Sequence, residues 1–147
     1  MASSTSVQKI GSREAITLYK FTPGATTATD IAWVDMRNYD SFLIGYLRIS
    51  GTDTTTIKIL ANAESDGSGT DVTVKTMTAD PDAVDDYAFL EVTAQEVQEQ
   101  ARLAGVADIR YVTANCTNGT AGDEGAVVYV LGRPHRKYEN LTADSIA

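Results

Sequence analysis

Apolar and polar positions alternate along most of this chain, and a period of two predicts β-strands. Residues 13–21 (REAITLYKF) set Ile16 and Leu18 on one face against Tyr19 and Phe21 on the other. Residues 31–36 (IAWVDM) form a second run. Residues 41–49 (SFLIGYLRI) are apolar on both faces, Phe42, Ile44 and Tyr46 against Leu43, Leu47 and Ile49. A strand of that kind is covered on both sides, or covered on one and used as an interface on the other. The runs 55–62 and 71–77 flank AESDGSGT and predict a hairpin with a longish loop. Residues 87–92, 108–116 and 125–132 complete a set of eight strands. The last two are joined by TNGTAGDE, which predicts a second hairpin centred near Ala121, with Cys116 opposite Ala126.

One segment changes period. In TAQEVQEQARLAG, Thr93 and Glu96 have the spacing of a capping box, and Ala94, Val97, Ala101 and Ala104 recur at helical intervals. Gly105 suits the left-handed position that ends a helix. Eight strands and one helix without regular βαβ alternation argue against a parallel α/β sheet. The expected fold class is mainly β, an antiparallel two-sheet β-sandwich, with the jelly roll among its forms. The chain is expected to be a single domain over residues 1–147, with arm-like segments at 1–9 and 138–147, where no period is strong.

Composition narrows the function. A chain of 147 residues can bury roughly 68–70% of its unfolded surface, so a core needs no staples. A net charge of −8 argues against a nucleic-acid partner, whose phosphates require a basic face. No apolar run approaches 18 residues, so no membrane partner is expected. The start, MASSTSVQKIGSRE, lacks an apolar signal core, so export is not expected. The triplets NCT, NGT and NLT then read as turn chemistry rather than as glycosylation acceptors.

Candidate chemistry is sparse. The single cysteine cannot form an internal disulfide. On the second hairpin, His135 falls roughly 30 Å from Cys116, so the two do not form a dyad. There is no GxSxG elbow, no Gly-rich phosphate loop and no zinc ligand set. Glu64, Asp66 and Asp71 in one loop, and Asp80, Asp82, Asp85 and Asp86 in another, could draw a cation, but solvated hairpin loops account for them equally well. No catalytic residue, metal site or cofactor is assigned. Trp33, the lone tryptophan in a chain with 7% aromatic residues, reads as a core or interface anchor rather than as a sugar-stacking surface.

The end of the chain is unlike the rest. After the apolar run to Gly132 come Arg133, His135, Arg136 and Lys137, a basic cluster on an acidic protein. Pro134 removes a backbone donor and marks the end of strand pairing. Beside the plain reading as a solvated strand exit, the cluster suits an attachment point for carboxylates, with Tyr138 and Leu141 as apolar anchors. The two strands that are apolar on both faces would be covered by sister subunits, which predicts a homo-oligomer, a trimer slightly ahead of a dimer.

Residues 85–144 resemble a group of small structural proteins of tailed bacteriophages, thought to be capsid decoration or cement proteins. The pieces that carry the resemblance are YAFLEVTAQEV, the RYV strand start and the exit GRPHRKYENLTAD. The resemblance implies a β-rich body, no active site, and adhesion to the major capsid protein lattice on the exterior of a virion made in the host cytoplasm. Other readings are a neck, tail-completion or fibre-associated virion protein, and a carbohydrate-binding or hydrolytic sandwich.

Overall fold

The computed structural model describes residues 15–21, 28–51, 53–77, 81–120 and 123–134. Among these residues, nine strand segments and one helix follow in the order β1 (Ala15–Phe21), β2 (Thr29–Asp30), β3 (Val34–Asp35), β4 (Tyr39–Ser50), β5 (Thr55–Asn62), β6 (Val72–Thr76), β7 (Tyr87–Thr93), α1 (Ala94–Ala104), β8 (Tyr111–Asn118) and β9 (Glu124–Pro134). Both β2 and β3 pair with β8, so they act as one interrupted strand, and the sandwich has eight. The run 31–36, expected as one strand, is therefore split. Ile31–Trp33 lies between the two ladders, and Trp33 packs against Gly67 in the β5–β6 loop.

The sheets have the orders β1-β9-β4-β7 and β2/β3-β8-β5-β6, with every pairing antiparallel. The pairings nest: β1 with β9, β2/β3 with β8, β4 with β7, β5 with β6. This is one long hairpin folded over and wrapped into two sheets, the jelly roll. Nesting corrects one expectation. Strands β8 and β9 do not form a hairpin; they lie in different sheets, and Cys116 stands opposite Ile57 and Thr29 rather than Ala126. Of the two local hairpins expected, only the innermost, β5–β6, exists.

Alternation fills the space between the sheets. Phe42, Ile44 and Tyr46 of β4, Val127, Tyr129 and Leu131 of β9, and Leu90 and Val92 of β7 are buried against Ile57, Ile59 and Ala61 of β5 and Val112, Ala114 and Cys116 of β8. Each large apolar side chain so buried contributes about 1.5–3 kcal/mol. Phe42 and Tyr129 meet edge to face with centroids 4.9 Å apart. The Tyr129 hydroxyl also accepts a 2.7 Å hydrogen bond from the Ala114 backbone N–H, tying one sheet to the other.

Helix α1 begins as expected. The Thr93 hydroxyl accepts from the Glu96 N–H, and the Glu96 carboxylate accepts from the Thr93 N–H at 2.7 Å. Gly105 closes it with φ 70°. Val97 and Ala101 join the core. The helix leaves β7 at the end of the sandwich where Ser41 pairs with both Thr93 and Gly132.

Candidate interaction surface

The same alternation that buries one face of β4, β7 and β9 turns the other outward. Register places the outward positions in rows: Tyr87, Leu47 and Ala126; Phe89, Gly45 and Val128; Glu91, Leu43 and Val130. On the next strand, β1, the register positions opposite Ala126, Val128 and Val130 are Lys20, Leu18 and Ile16. Leu47 and Ile49 are 43% and 45% exposed, and Tyr87 and Phe89 are 71% and 64% exposed. These four stand in water on one face, which is how protein-contact surfaces are marked. The strand apolar on both faces is therefore covered on one side and open on the other.

The face is flat. A Cβ at Gly45 would come 2.8 Å from Val128 Cγ1 and 3.1 Å from Phe89 Cε1, so the neighbouring side chains already close over the missing one. The Tyr87 and Phe89 rings have centroids 5.9 Å apart and planes 64° apart. Rings so tilted do not make the common plane on which a sugar would stack.

Arg133 is exposed at one end of this face, in the left-handed region with φ 53°. It lines an open depression of about 440 Å³ together with Lys75, Phe89, Glu91 and Glu96. The Lys75 ammonium donates to the Glu91 carbonyl at 2.8 Å and lies 4.0 Å from Glu96 Oε1. The Thr93 backbone N–H holds the Glu96 carboxyl below the usual carboxylate range. The depression thus mixes both signs of charge. Ala15, where β1 begins, and Pro134, where β9 ends, lie at this same end.

Of the other residues expected at a binding site, Trp33 is half-buried away from this face. Its Nε1 would lie 2.4 Å from a Cβ at Gly67, so it anchors the β5–β6 loop. His135, Arg136, Lys137, Tyr138 and Leu141 lie outside the described residues.

Two features were not expected from the sequence. At the end opposite Arg133, the fully buried Arg48 guanidinium forms an ion pair with Asp123. It also donates to Thr55 Oγ1 at 2.6 Å, to the Pro81 carbonyl at 3.1 Å and to the Asp53 carbonyl. At the helix end, a smaller cavity of about 210 Å³ is lined by Met36, Arg37, Tyr39 and Arg110 among others. There Asp35 accepts from Arg37 Nε at 2.9 Å. Burial works against the Asp35 charge, but the Arg37 hydrogen bonds and the charges of Arg37 and Arg110 outweigh it and lower its pKa.

Cys116 is wholly buried, and burial, with a lesser push from Asp30, raises its thiol pKa to about 12. A thiol so placed is no nucleophile at neutral pH. In the acidic loops, Asp66 accepts from the Ser68 N–H and Asp86 from the Asp82 and Ala83 N–H groups, as turn carboxylates do. Among the described residues no three His, Cys, Asp or Glu side chains are grouped to hold a metal ion.

No protein-family model and no curated protein matches the chain. Solved structures that the chain is similar to include a pilus of Bacillus endospore appendages, at 21% identity over 82% of this chain and 87% of that one, with a TM-score of 0.46. The SPBc2 prophage-derived protein YomS shares 14% identity over 80% and 93%, TM-score 0.41. A structure of the infectious bursal disease virus Gx strain shares 10% over 85% of this chain and 34% of its own, TM-score 0.44.

Proposed function

We propose that this chain is a structural protein of a tailed-phage virion. Within that class it is a decoration protein, which binds the exterior of an assembled head lattice as a homo-oligomer and acts by adhesion rather than catalysis. The observation that carries the reading is the open face of the four-stranded sheet, where an acidic sandwich leaves Leu47, Ile49, Tyr87 and Phe89 in solvent. Exposed apolar patches of that kind mark interaction sites. The resemblance of residues 85–144 to phage decoration proteins supplies the class of partner.

The ends of β1 and β9 add a second element. From one end of the sandwich the chain continues for 14 residues before Ala15 and 13 after Pro134. A ligand that binds only the assembled shell stabilises it by mass action, and repetition over a lattice multiplies weak contacts. The test is binding to shells that lack the protein, comparing the full chain with one ending at Lys137. Truncation should leave the sandwich folded and weaken shell binding at least tenfold. Unchanged affinity would remove the segment 138–147 from the mechanism. A particle map showing about a dozen copies at the neck, rather than hundreds over the head, would move the protein to the neck or tail.

A further inference from the structure

The cavity of about 210 Å³ at the helix end has walls that the backbone fixes. Arg110 leads into β8 with both of its main-chain groups held. Its N–H donates to the Asn62 carbonyl at 3.2 Å, and its carbonyl accepts from the Met36 N–H at 2.8 Å. Beside it, the Ile109 carbonyl accepts from the Gln98 side-chain amide at 3.0 Å, which ties α1 to the same wall. Met36 and Ile109 are buried and give the cavity apolar lining, while Arg37 and Arg110 bring its charge. The two arginines differ in what they already hold. Arg37 is taken up by Asp35, whose carboxylate accepts from its Nε at 2.9 Å and from its backbone N–H at 3.0 Å. Arg110 stacks on the Tyr111 ring, 4.8 Å from its centroid, and donates through Nη2 to the Tyr111 hydroxyl at 2.5 Å. Among the described residues Arg110 is in no ion pair, and its buried Nε–H meets no acceptor. A buried donor of a charged group without an acceptor is destabilising until one arrives. Arg48 Nε is in the same position, but that guanidinium is already paired with Asp123.

We propose that this cavity is a binding site for one carboxylate group, with the Arg110 guanidinium as its partner. Charge, shape and size choose the ligand. Arg37 and Arg110 against Asp35 leave one positive charge, which a monoanion balances and a phosphate dianion would exceed. A guanidinium edge presents parallel N–H donors that match the two oxygens of a planar carboxylate. The volume of about 210 Å³ falls below the roughly 300–1,000 Å³ of sites that take drug-sized ligands. A carboxylate on a short apolar stem suits it, with the stem against Met36 and Ile109. A glutamate side chain of another polypeptide carries that group, and so does a small free acid. The site goes beyond the adhesive reading of the chain and does not rest on it.

The test is an NMR titration of the isotope-labelled full chain with sodium acetate to about 50 mM at constant ionic strength. The Arg110 Nε–H and Met36 methyl signals should move together and saturate, with half-saturation at about 1–10 mM. Acetamide, a neutral analogue of the same shape, and chloride should move neither. Arg110→Lys keeps the charge and removes the fork, and should weaken acetate binding at least fivefold, read on the Met36 methyl. Arg102→Lys, in the last turn of α1, should leave it unchanged. Far-UV circular dichroism confirms that each variant is folded. Glutamate blocked at both its amino and α-carboxyl groups separates the two sources. Binding at least as tight as that of acetate assigns the site to a polypeptide side chain, and weaker binding assigns it to a small free acid. Signals that ignore acetate, or that move equally with acetamide or chloride, overturn the proposal. So does a Met36 response that survives Arg110→Lys unchanged. A chain that binds acetate here and ignores shells sinks the decoration reading alone.

Discussion

Arg48 Nη1 lies 3.1 Å from Asp123 Oδ2, and both side chains are closed off from solvent. The guanidinium also reaches the carbonyls of Asp53 and Pro81, so one cation gathers the β4–β5 turn, the β6–β7 connection and the start of β9. Removing one partner of a buried ion pair strands the other. Arg48→Met is therefore expected to destabilise the fold by about 3–5 kcal/mol, and Arg48→Met with Asp123→Leu by much less. Urea midpoints of the two variants check this. If the single change cost no more than the double, the ion pair would not be what holds this end together.

Gly67 and Trp33 make a second dependent pair. Gly67 has φ 73°, and a Cβ there would come within 2.4 Å of the indole. Gly67→Ala adds backbone strain and displaces the ring, at an expected cost of about 1–3 kcal/mol. Trp33 is the only tryptophan, so its fluorescence reports on this contact alone. The emission of the variant should shift to the red in the folded state. An unshifted spectrum would mean that the ring does not depend on the loop.

How far these relationships could be read from the sequence depended on their range along the chain. The α1 caps at Thr93, Glu96 and Gly105 are local and were legible in full. So was the β5–β6 hairpin, whose partners are neighbours in sequence. Strands β8 and β9 are also neighbours, but nested pairing sends them to opposite sheets, and no local pattern distinguishes a hairpin loop from a crossover. Arg48 was legible but unread. Alternation in SFLIGYLRIS puts position 48 on the face of Phe42, Ile44 and Tyr46, and so inside. Its partner Asp123 lies 75 residues on, and nothing in the sequence ties the two. The open sheet face was half legible: two-sided apolarity marked β4, but the exposure of Tyr87 and Phe89 follows only from β7 being an edge strand beside it.

The buried thiol and phenol give a pH dependence. Burial raises Cys116 from 9.0 to about 12 and Tyr129 from 10.0 to about 12. For a group whose native pKa is raised, the stabilisation is complete below the unfolded pKa and is lost as pH rises through the native one. Stability should be flat to about pH 9 and fall between there and about pH 12. Cys116→Ala should remove the earlier part of the fall and leave the part due to Tyr129. Urea midpoints across that range measure both. In the native state at pH 8 the thiol should resist aromatic disulfide reagents, and in urea it should react stoichiometrically. Fast native labelling would show that β8 opens far more readily than its burial implies.

The basic exit from β9 makes a prediction about salt. Arg133 is solvent-exposed beside Glu91 and Glu96, and Arg136 follows within three residues, outside the described part of the chain. Exposed charges act across about 30 Å at 0.01 M salt and about 8 Å at 0.15 M. If the exit docks on carboxylates of a shell, Arg133→Ala with Arg136→Ala should weaken shell binding more at low ionic strength than at high. The wild-type affinity should fall with salt more steeply than that of the variant, so the two curves converge. Because Arg133 is exposed at the rim of the open face, the double change should leave far-UV circular dichroism unchanged. A loss of affinity equal at both ionic strengths would assign these side chains to packing, and the electrostatic part of the attachment would fall with it.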